Sequence, residues 1–397
     1  MRICHVTPHL PPDQAANALL PYHLGRWALS HDDQPSYVAH PPRSTGSGGG
    51  VAPSGMQYPG PVTWLAARDR AGRLSRALRL GSVQAAARII RDARPVLAAA
   101  DLIHLHSNGL LTEICALLAR RLGKPTVLTL YGTEIWHYGR KRSIPDLFTR
   151  AYRRASDVTF YSRKLLDRAV ALGLDRPNLR VIYPPVADEF RHRDLAGQAA
   201  ERTALGVTAR RLIVNVKRLH PLAGQRFLIE AMPEVLRAHP DTTLVICGTG
   251  ELRTDLEAVA QRVGVEQRVV FTGLVDNATV ARYDMAADVF ALPSLLEACP
   301  TVALEALACG TPVVSSDNPG GVELGEVFGG DVAIVPREQV SALAEAIVRA
   351  LGSPRRVTDA TRTVIERDFR PDAVDRQYRE VYARALGKSR PPFASPE

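Results

Sequence analysis

The chain has 397 residues but only five cysteines, Cys4, Cys115, Cys247, Cys299 and Cys309, widely scattered and without a Cys-x-x-Cys pair. That pattern argues against a disulfide framework or a zinc site, and reduced thiols are expected. No unbroken apolar run approaches the roughly twenty residues that a membrane-spanning helix needs. The opening Met1-Arg2-Ile3-Cys4-His5-Val6-Thr7 reads as a strand, not as a charged segment followed by an apolar signal core, so a cytoplasmic protein is expected. There is no internal repeat of solenoid length and no nucleic-acid recognition module. Acidic residues are scarce in the first half. Residues 1–190 hold 25 Lys+Arg against 14 Asp+Glu, a net of +11, leaving −2 for the rest of a chain whose total is +9. Such a basic half suits a solvated arginine-rich surface, an anionic membrane or an acidic acceptor.

A chain of this length exceeds one ordinary core, so two domains are expected. Short apolar strands alternate with longer helical stretches, the pattern of a parallel, doubly wound α/β sheet. The first set of strands reads Ile3–Thr7, Val62–Leu65, Leu102–Leu105, Thr126–Leu130, Val158–Tyr161 and Leu179–Ile182, with helical stretches such as Gly109–Leu122 and Arg163–Leu172 between them. The Gly/Pro/Ser-rich run from Pro41 to Pro61 interrupts this set as a long insertion or a loop. After Tyr183-Pro184-Pro185-Val186 a second set begins: Leu212–Val216, Thr243–Cys247, Val269–Thr272, Val289–Leu292 and Pro312–Ser315. Domains are expected at 1–190 and 191–370, followed by 371–397 with a last helix, Pro371–Leu386. Val374, Tyr378, Val381, Tyr382 and Leu386 lie on one face of that helix.

The residues able to do chemistry cluster at strand ends. Glu297 and Glu305 stand with seven residues between them, after Pro293-Ser294 and before Cys309-Gly310-Thr311-Pro312. With Pro300 at the start of the intervening helix, the segment can aim N–H groups and two carboxylates at one nucleotide sugar. Ile213-Val214-Asn215-Val216 runs into Lys217 and Arg218, cations suited to a diphosphate at the carboxyl end of a strand. Gly248 and Gly250 lie at a strand-to-helix turn, where glycine permits close approach of backbone and ligand. Alternation puts His104 and His106 of the Ile103–Ser107 segment on one face of a strand.

These motifs resemble family 4 of the retaining nucleotide-sugar glycosyltransferases, which have the GT-B fold: two Rossmann-like, doubly wound domains facing a central cleft, with a terminal helix that crosses back to the first. The resemblance implies that Glu305 accepts hydrogen bonds from the ribose hydroxyls and Glu297 contacts the transferred sugar as a catalytic group. Cys299, Pro300, Thr301 and Val302 would cradle the sugar and distal phosphate. Lys217 and Arg218 would hold the diphosphate, with Gly248, Gly250 and Leu274 around the rest of the donor. The family's usual lysine-glycine pair is here Ala223-Gly224, and Lys217 stands where glycine is usual, a replacement for the missing cation. A glycine pair common after the first strand is replaced by Ala15-Ala16, small enough for the same backbone approach to the donor. His106 is implied as a second catalytic group. Tyr131 occupies a step where many relatives carry histidine, which leaves Asp13, Tyr131, Glu134 and His137 as acceptor-binding candidates. No Asp-x-Asp pair occurs, so neither metal nor other cofactor is expected.

The implied activity is transfer of a hexose or amino-hexose, with UDP the expected carrier and GDP the other, to a hydroxyl of a small molecule. The segments Pro8–Asn17 and Lys217–Gly224 resemble antibiotic-pathway enzymes that glycosylate aminocyclitols, and Asp13, Glu113 and Glu134 offer carboxylates to a cationic acceptor. Against this, Arg68–Arg94 holds eight arginines among Ala, Leu and Ile, which suits a membrane-surface helix, peripheral membrane contact and a lipid-linked or polysaccharide acceptor. An epimerase or a nucleotide-binding module without transfer are the readings of another class.

Overall fold

A computed structural model describes residues 1–13, 15–41, 57–65, 80–139 and 146–387. Positions 42–56 of the Pro41–Pro61 run and 68–79 of the arginine-rich segment Arg68–Arg94 lie outside the described residues. The chain divides into two compact units, Met1–Ile182 together with the stretch from Asp375 on, and Tyr183–Val374.

The first unit is a seven-stranded parallel sheet in the order β3-β2-β1-β4-β5-β6-β7. Its strands are β1 (Arg2–Thr7), β2 (Gln34–Ala39), β3 (Val62–Trp64), β4 (Leu102–His106), β5 (Thr126–Leu130), β6 (Asp157–Phe160) and β7 (Leu179–Val181). Strands β1, β4, β5 and β6 are almost wholly buried, as both faces of a parallel sheet must be. Helix Leu80–Ala99 turns Ile89, Ala93 and Leu97 into this core. The described part of the arginine-rich segment therefore uses Ile89 and Ala93 for packing on the sheet. That corrects the expectation of a membrane-surface helix for this part of the segment, and no helix among the described residues is long and apolar enough to cross a membrane. Helix Pro371–Ala385 adds Tyr378 and Tyr382, both buried, to the same unit. Its Arg384 reaches the buried Asp157 at 2.8 Å and Arg379 reaches Asp33 at 3.0 Å.

The second unit is a six-stranded parallel sheet in the order β10-β9-β8-β11-β12-β13. Its strands are β8 (Arg211–Val216), β9 (Thr242–Cys247), β10 (Val269–Gly273), β11 (Val289–Leu292), β12 (Val313–Ser316) and β13 (Val332–Val335). Separate apolar clusters cover its two faces. One is centred on Val214, Phe290, Leu304 and Leu307, the other on Ile213, Ile246, Met232 and Ile347. The strand order reverses beside β1 in the first sheet and beside β8 in the second. At such a switch, neighbouring loops leave the carboxyl ends of adjacent strands in opposite directions and open a crevice between them.

Candidate functional site

In the second unit the reversal falls between β8 and β11, which pair Val289 with Ile213 and Phe290 with Val214. Their following loops start with Lys217 and Pro293, so register alone brings the cation of one loop beside the carboxylate of the other. Lys217 Nζ lies 2.6 Å from Glu297 Oε1, with Glu297 only 11% exposed and Lys217 29%. Arg218 takes a different direction. It is 74% exposed and pairs with Glu251 at 3.3 Å, a solvent-screened contact that is free to open toward an anion.

Glycines hold these loops together. A Cβ on Gly224 (φ +69°) would fall 2.1 Å from the Pro293 carbonyl oxygen, and Leu295 N–H donates to Leu222 O at 2.8 Å. A Cβ on Gly248 would meet Lys217 O at 2.1 Å, and one on Gly250 would meet Leu219 O at 2.2 Å. The close approach that Gly248 and Gly250 permit is therefore to the backbone of the Lys217–Leu219 loop. Lys217 and Leu219 also donate to Cys247 O and Thr249 O, each at 3.0 Å. The buried Gln225 amide supports the same loop, donating to Arg218 O at 3.2 Å. Ala223, where the family carries its lysine, is buried within a short 3₁₀ turn.

Pro300 is the N-cap of helix Thr301–Cys309 and supplies no side-chain cap. The N–H groups of Thr301 and Val302 precede the first residue with an intrahelical acceptor, since Pro300 O is met by Ala303 at 3.0 Å and Leu304 at 3.3 Å. Cys299, Thr301 and Val302 are half-buried, in the same segment as Glu297. One turn further on, Glu305 is half-buried as well. Burial of its carboxyl, reinforced by Glu189 and opposed by Lys217, raises its pKa from 4.5 to about 7. Leu274, after β10, is 83% exposed and leaves its backbone accessible. The site thus combines an ammonium, a carboxylate, open helix N–H groups and a second carboxyl poised near neutrality. Such a set suits a ligand with hydroxyls and phosphate.

Sequence reasoning missed the residues behind this segment. Gly320 N–H donates to Glu297 O at 3.0 Å, and a Cβ there would lie 3.0 Å from Glu297 Cβ. Asn318 caps the helix that begins at Pro319, donates to Ser294 O at 2.9 Å, and so fixes the start of the Pro293–Pro300 loop. The signal was the Asn318-Pro319-Gly320-Gly321 run, a cap, N1 proline and two small residues, but its target is not readable from sequence. Asp284 was also missed. It is fully buried, both its carboxyl oxygens lack a hydrogen-bond partner among the described residues, and burial raises its pKa well above the usual range.

In the first unit, β1 and β4 pair His5 with His104 in register. His104 and His106 share a face, with ring centroids 4.0 Å apart. All three imidazoles are buried, and burial holds each below the usual histidine range, His5 at about 3. The three rings lie close enough to share a metal ion. Five of their six nitrogens already have protein partners, however. His104 meets Tyr382 Oη at 2.8 Å and Thr129 Oγ1 at 2.7 Å, while His106 meets His5 Nδ1 at 3.1 Å and Tyr131 Oη at 2.7 Å. Of the six, only His5 Nε2 is left without one among the described residues.

The role expected for His106 by direct contact is corrected accordingly: the ring is 0% exposed and its outward nitrogen ends on the half-buried Tyr131. Glu134 is corrected too. Its carboxylate is buried and accepts from the N–H groups of Gly132 at 2.8 Å and Tyr131 at 3.4 Å, which ties down its own loop. His137 is exposed at the end of the short helix Thr133–Trp136. Asp13 pairs with His9 at 3.0 Å, and Ala15 and Ala16 stand at the N-cap and first turn of helix Ala16–Leu29.

Two doubly wound parallel sheets in one chain are the GT-B architecture. The structure resembles that of Anabaena HepE in complex with UDP, with a TM-score of 0.73 at 19% identity over 97% of this chain and 100% of that one. Residues 38–190 match the family described as Glycosyltransferase Family 4, and residues 210–353 match Glycosyl transferases group 1. The chain belongs to this family of GT-B glycosyltransferases. It is 34% identical over 254 residues to a GDP-mannose-dependent alpha-(1-6)-phosphatidylinositol monomannoside mannosyltransferase of Mycolicibacterium smegmatis, covering 60% of this chain and 64% of that protein. It is 33% identical over 281 residues to a 2-deoxystreptamine N-acetyl-D-glucosaminyltransferase of Streptomyces fradiae, covering 66% and 64%. The chain thus spans just under two thirds of the length of each.

Proposed function

We propose that this protein is a retaining glycosyltransferase, moving a hexose or amino-hexose from a nucleotide sugar to a hydroxyl of a cyclitol-type acceptor. The observation that carries the reading is the 2.6 Å Lys217–Glu297 pair beside the uncapped start of helix Thr301–Cys309. A donor diphosphate would draw Lys217, Arg218 and the open N–H groups, and so release Glu297 to accept from the hydroxyls of the transferred sugar. Glu305, one turn on, would take the ribose hydroxyls. Positive groups placed where charge builds on the departing diphosphate would lower the barrier without a protein nucleophile. Retention then follows a front-face path, the leaving phosphate taking the acceptor proton. This assignment of charge needs no metal.

The names of the two relatives support the acceptor class, one a phosphatidylinositol glycoside and the other 2-deoxystreptamine, both built on a cyclitol ring. They divide over the sugar. UDP-sugars are the first choice here, with GDP-mannose the comparison. The test incubates the protein with UDP- and GDP-sugars, with and without Mg²⁺, and with 2-deoxystreptamine, paromamine or inositol phosphate as acceptor. Mass spectrometry follows both products. A hexose-sized gain on a cyclitol is the expected result, and NMR of the new linkage reads retention. Nucleotide release with no gain on any cyclitol would refute the acceptor class, and no turnover of any donor would refute the transferase reading.

A further inference from the structure

The buried histidines of the first unit form a directed chain. From inside outward it runs His5, then His106 through the 3.1 Å contact of His5 Nδ1 with His106 Nε2, then Tyr131 through the 2.7 Å contact of His106 Nδ1 with Tyr131 Oη. Both imidazoles are fully buried and neutral, so each carries one proton, and the whole chain has two possible polarities. In one, Tyr131 donates to His106, His106 donates to His5, and the proton of His5 sits on Nε2. That nitrogen has no partner, so this polarity buries an orphaned N–H. In the other, His5 Nδ1–H donates to His106 Nε2 and His106 Nδ1–H donates to Tyr131 Oη. The unmatched atom is then a bare lone pair. Orphaned buried N–H groups are the rarer of the two defects in folded proteins.

We infer that the second polarity holds, and that His5 and His106 are positioning residues whose tautomers turn the Tyr131 hydroxyl into an outward hydrogen-bond donor. With its oxygen already accepting from His106, Tyr131 has its own proton left to give. It stands on the loop after β5, half-buried, with its ring held edge-on against Tyr161 at 4.6 Å. The N–H groups of Tyr131 and Gly132 are occupied by Glu134, so from these two residues the hydroxyl is the group left to donate to a ligand oxygen. His104 is outside the chain. Its ring lies tilted against that of His106, 4.0 Å between centroids, but it gives both nitrogens to Tyr382 and Thr129. The ligand class is an acceptor oxygen with a lone pair, such as a cyclitol hydroxyl, and that step rests on the function proposed above.

The first test needs no substrate. In protein labelled with ¹⁵N-histidine, two-bond ¹H–¹⁵N correlations identify which ring nitrogen carries the proton. His5→Asn and His106→Asn samples assign the signals. The expected result is the Nδ1–H tautomer for both His5 and His106 at neutral pH, and Nε2–H at either overturns the inference. The second test is Tyr131→Phe. The expected result is a rise of about tenfold in KM for the acceptor, the scale of one hydrogen bond, with KM for the donor unchanged. An unaltered acceptor KM would overturn the outward donation even with the tautomers as expected. A protein that turns over no acceptor at all would instead refute the proposed function, and would leave the tautomer result standing.

Discussion

Replacing Glu305 by glutamine isolates the consequence of burying a carboxyl at the ligand site. In the folded, ligand-free protein this group titrates near 7, against 4.5 for the free side chain. Between those two values the folded state holds a proton that the unfolded chain has released. Stability therefore falls as pH rises through the window, and the loss is complete above about pH 7. At about 1.4 kcal/mol per pH unit over this window, wild-type protein at pH 8 lacks about 3 kcal/mol that it has at pH 4. Glu305→Gln keeps the shape and the hydrogen-bonding atoms but stays neutral. Its advantage over wild type should grow from near zero at pH 4.5 to about 3 kcal/mol at pH 8, a difference in thermal midpoint of about 6–12 °C for a unit of this size. Scanning calorimetry or urea unfolding of both proteins at the two pH values reads the effect directly. The buried Asp284 also titrates with folding, raised first by burial and then by the Glu305 charge, so the same comparison in an Asp284→Asn background separates the two carboxyls. A midpoint gap that is the same at pH 4.5 and pH 8 would refute the reasoning.

Two further outcomes follow from the same loops. Glu297→Gln should fold as wild type, because Gly320 holds its backbone rather than its side chain, and should lose at least about 100-fold in turnover; product formation alongside a thermal midpoint checks it, and undiminished turnover would remove Glu297 from the reaction. Gly250→Ala places a methyl 2.2 Å from Leu219 O and should cost about 1–3 kcal/mol through displaced backbone, read as a lower urea midpoint. An unchanged midpoint would show that the loops accommodate the methyl freely.

Most strands were legible from the sequence because parallel strands buried on both faces read as unbroken apolar runs. Thr126–Leu130 and Val289–Leu292 match the structure at both ends. Two strands were not legible. β2 starts Gln34-Pro35-Ser36, where a polar opening and a proline disguise an otherwise buried strand. β13 is four residues long and exposes Ala333 and Ile334 at the margin of its sheet. At the site, Lys217, Glu297 and Glu305 were legible because their loops carry a local motif at fixed spacing. Their supports were not. Gly320 and Asn318 act across a strand pairing, Gln225 turns back on a loop seven residues before it, and His5 meets His106 only through the register of β1 with β4. Glu134 looked like a free carboxylate because sequence cannot show that the N–H groups three and two residues before it take both its oxygens.

The return of the helix Pro371–Ala385 to the first unit has a consequence for the order of assembly. Residues 183–374 are contiguous, so the second unit has its whole core in hand before the first unit is complete. A nascent chain that has just reached residue 182 carries Asp33 without Arg379, His104 without Tyr382, and Asp157 without Arg384. Unpartnered polar groups at buried positions favour an open state. The unit that begins synthesis is thus the one closed last, with the second unit inserted in its covalent path as a finished body.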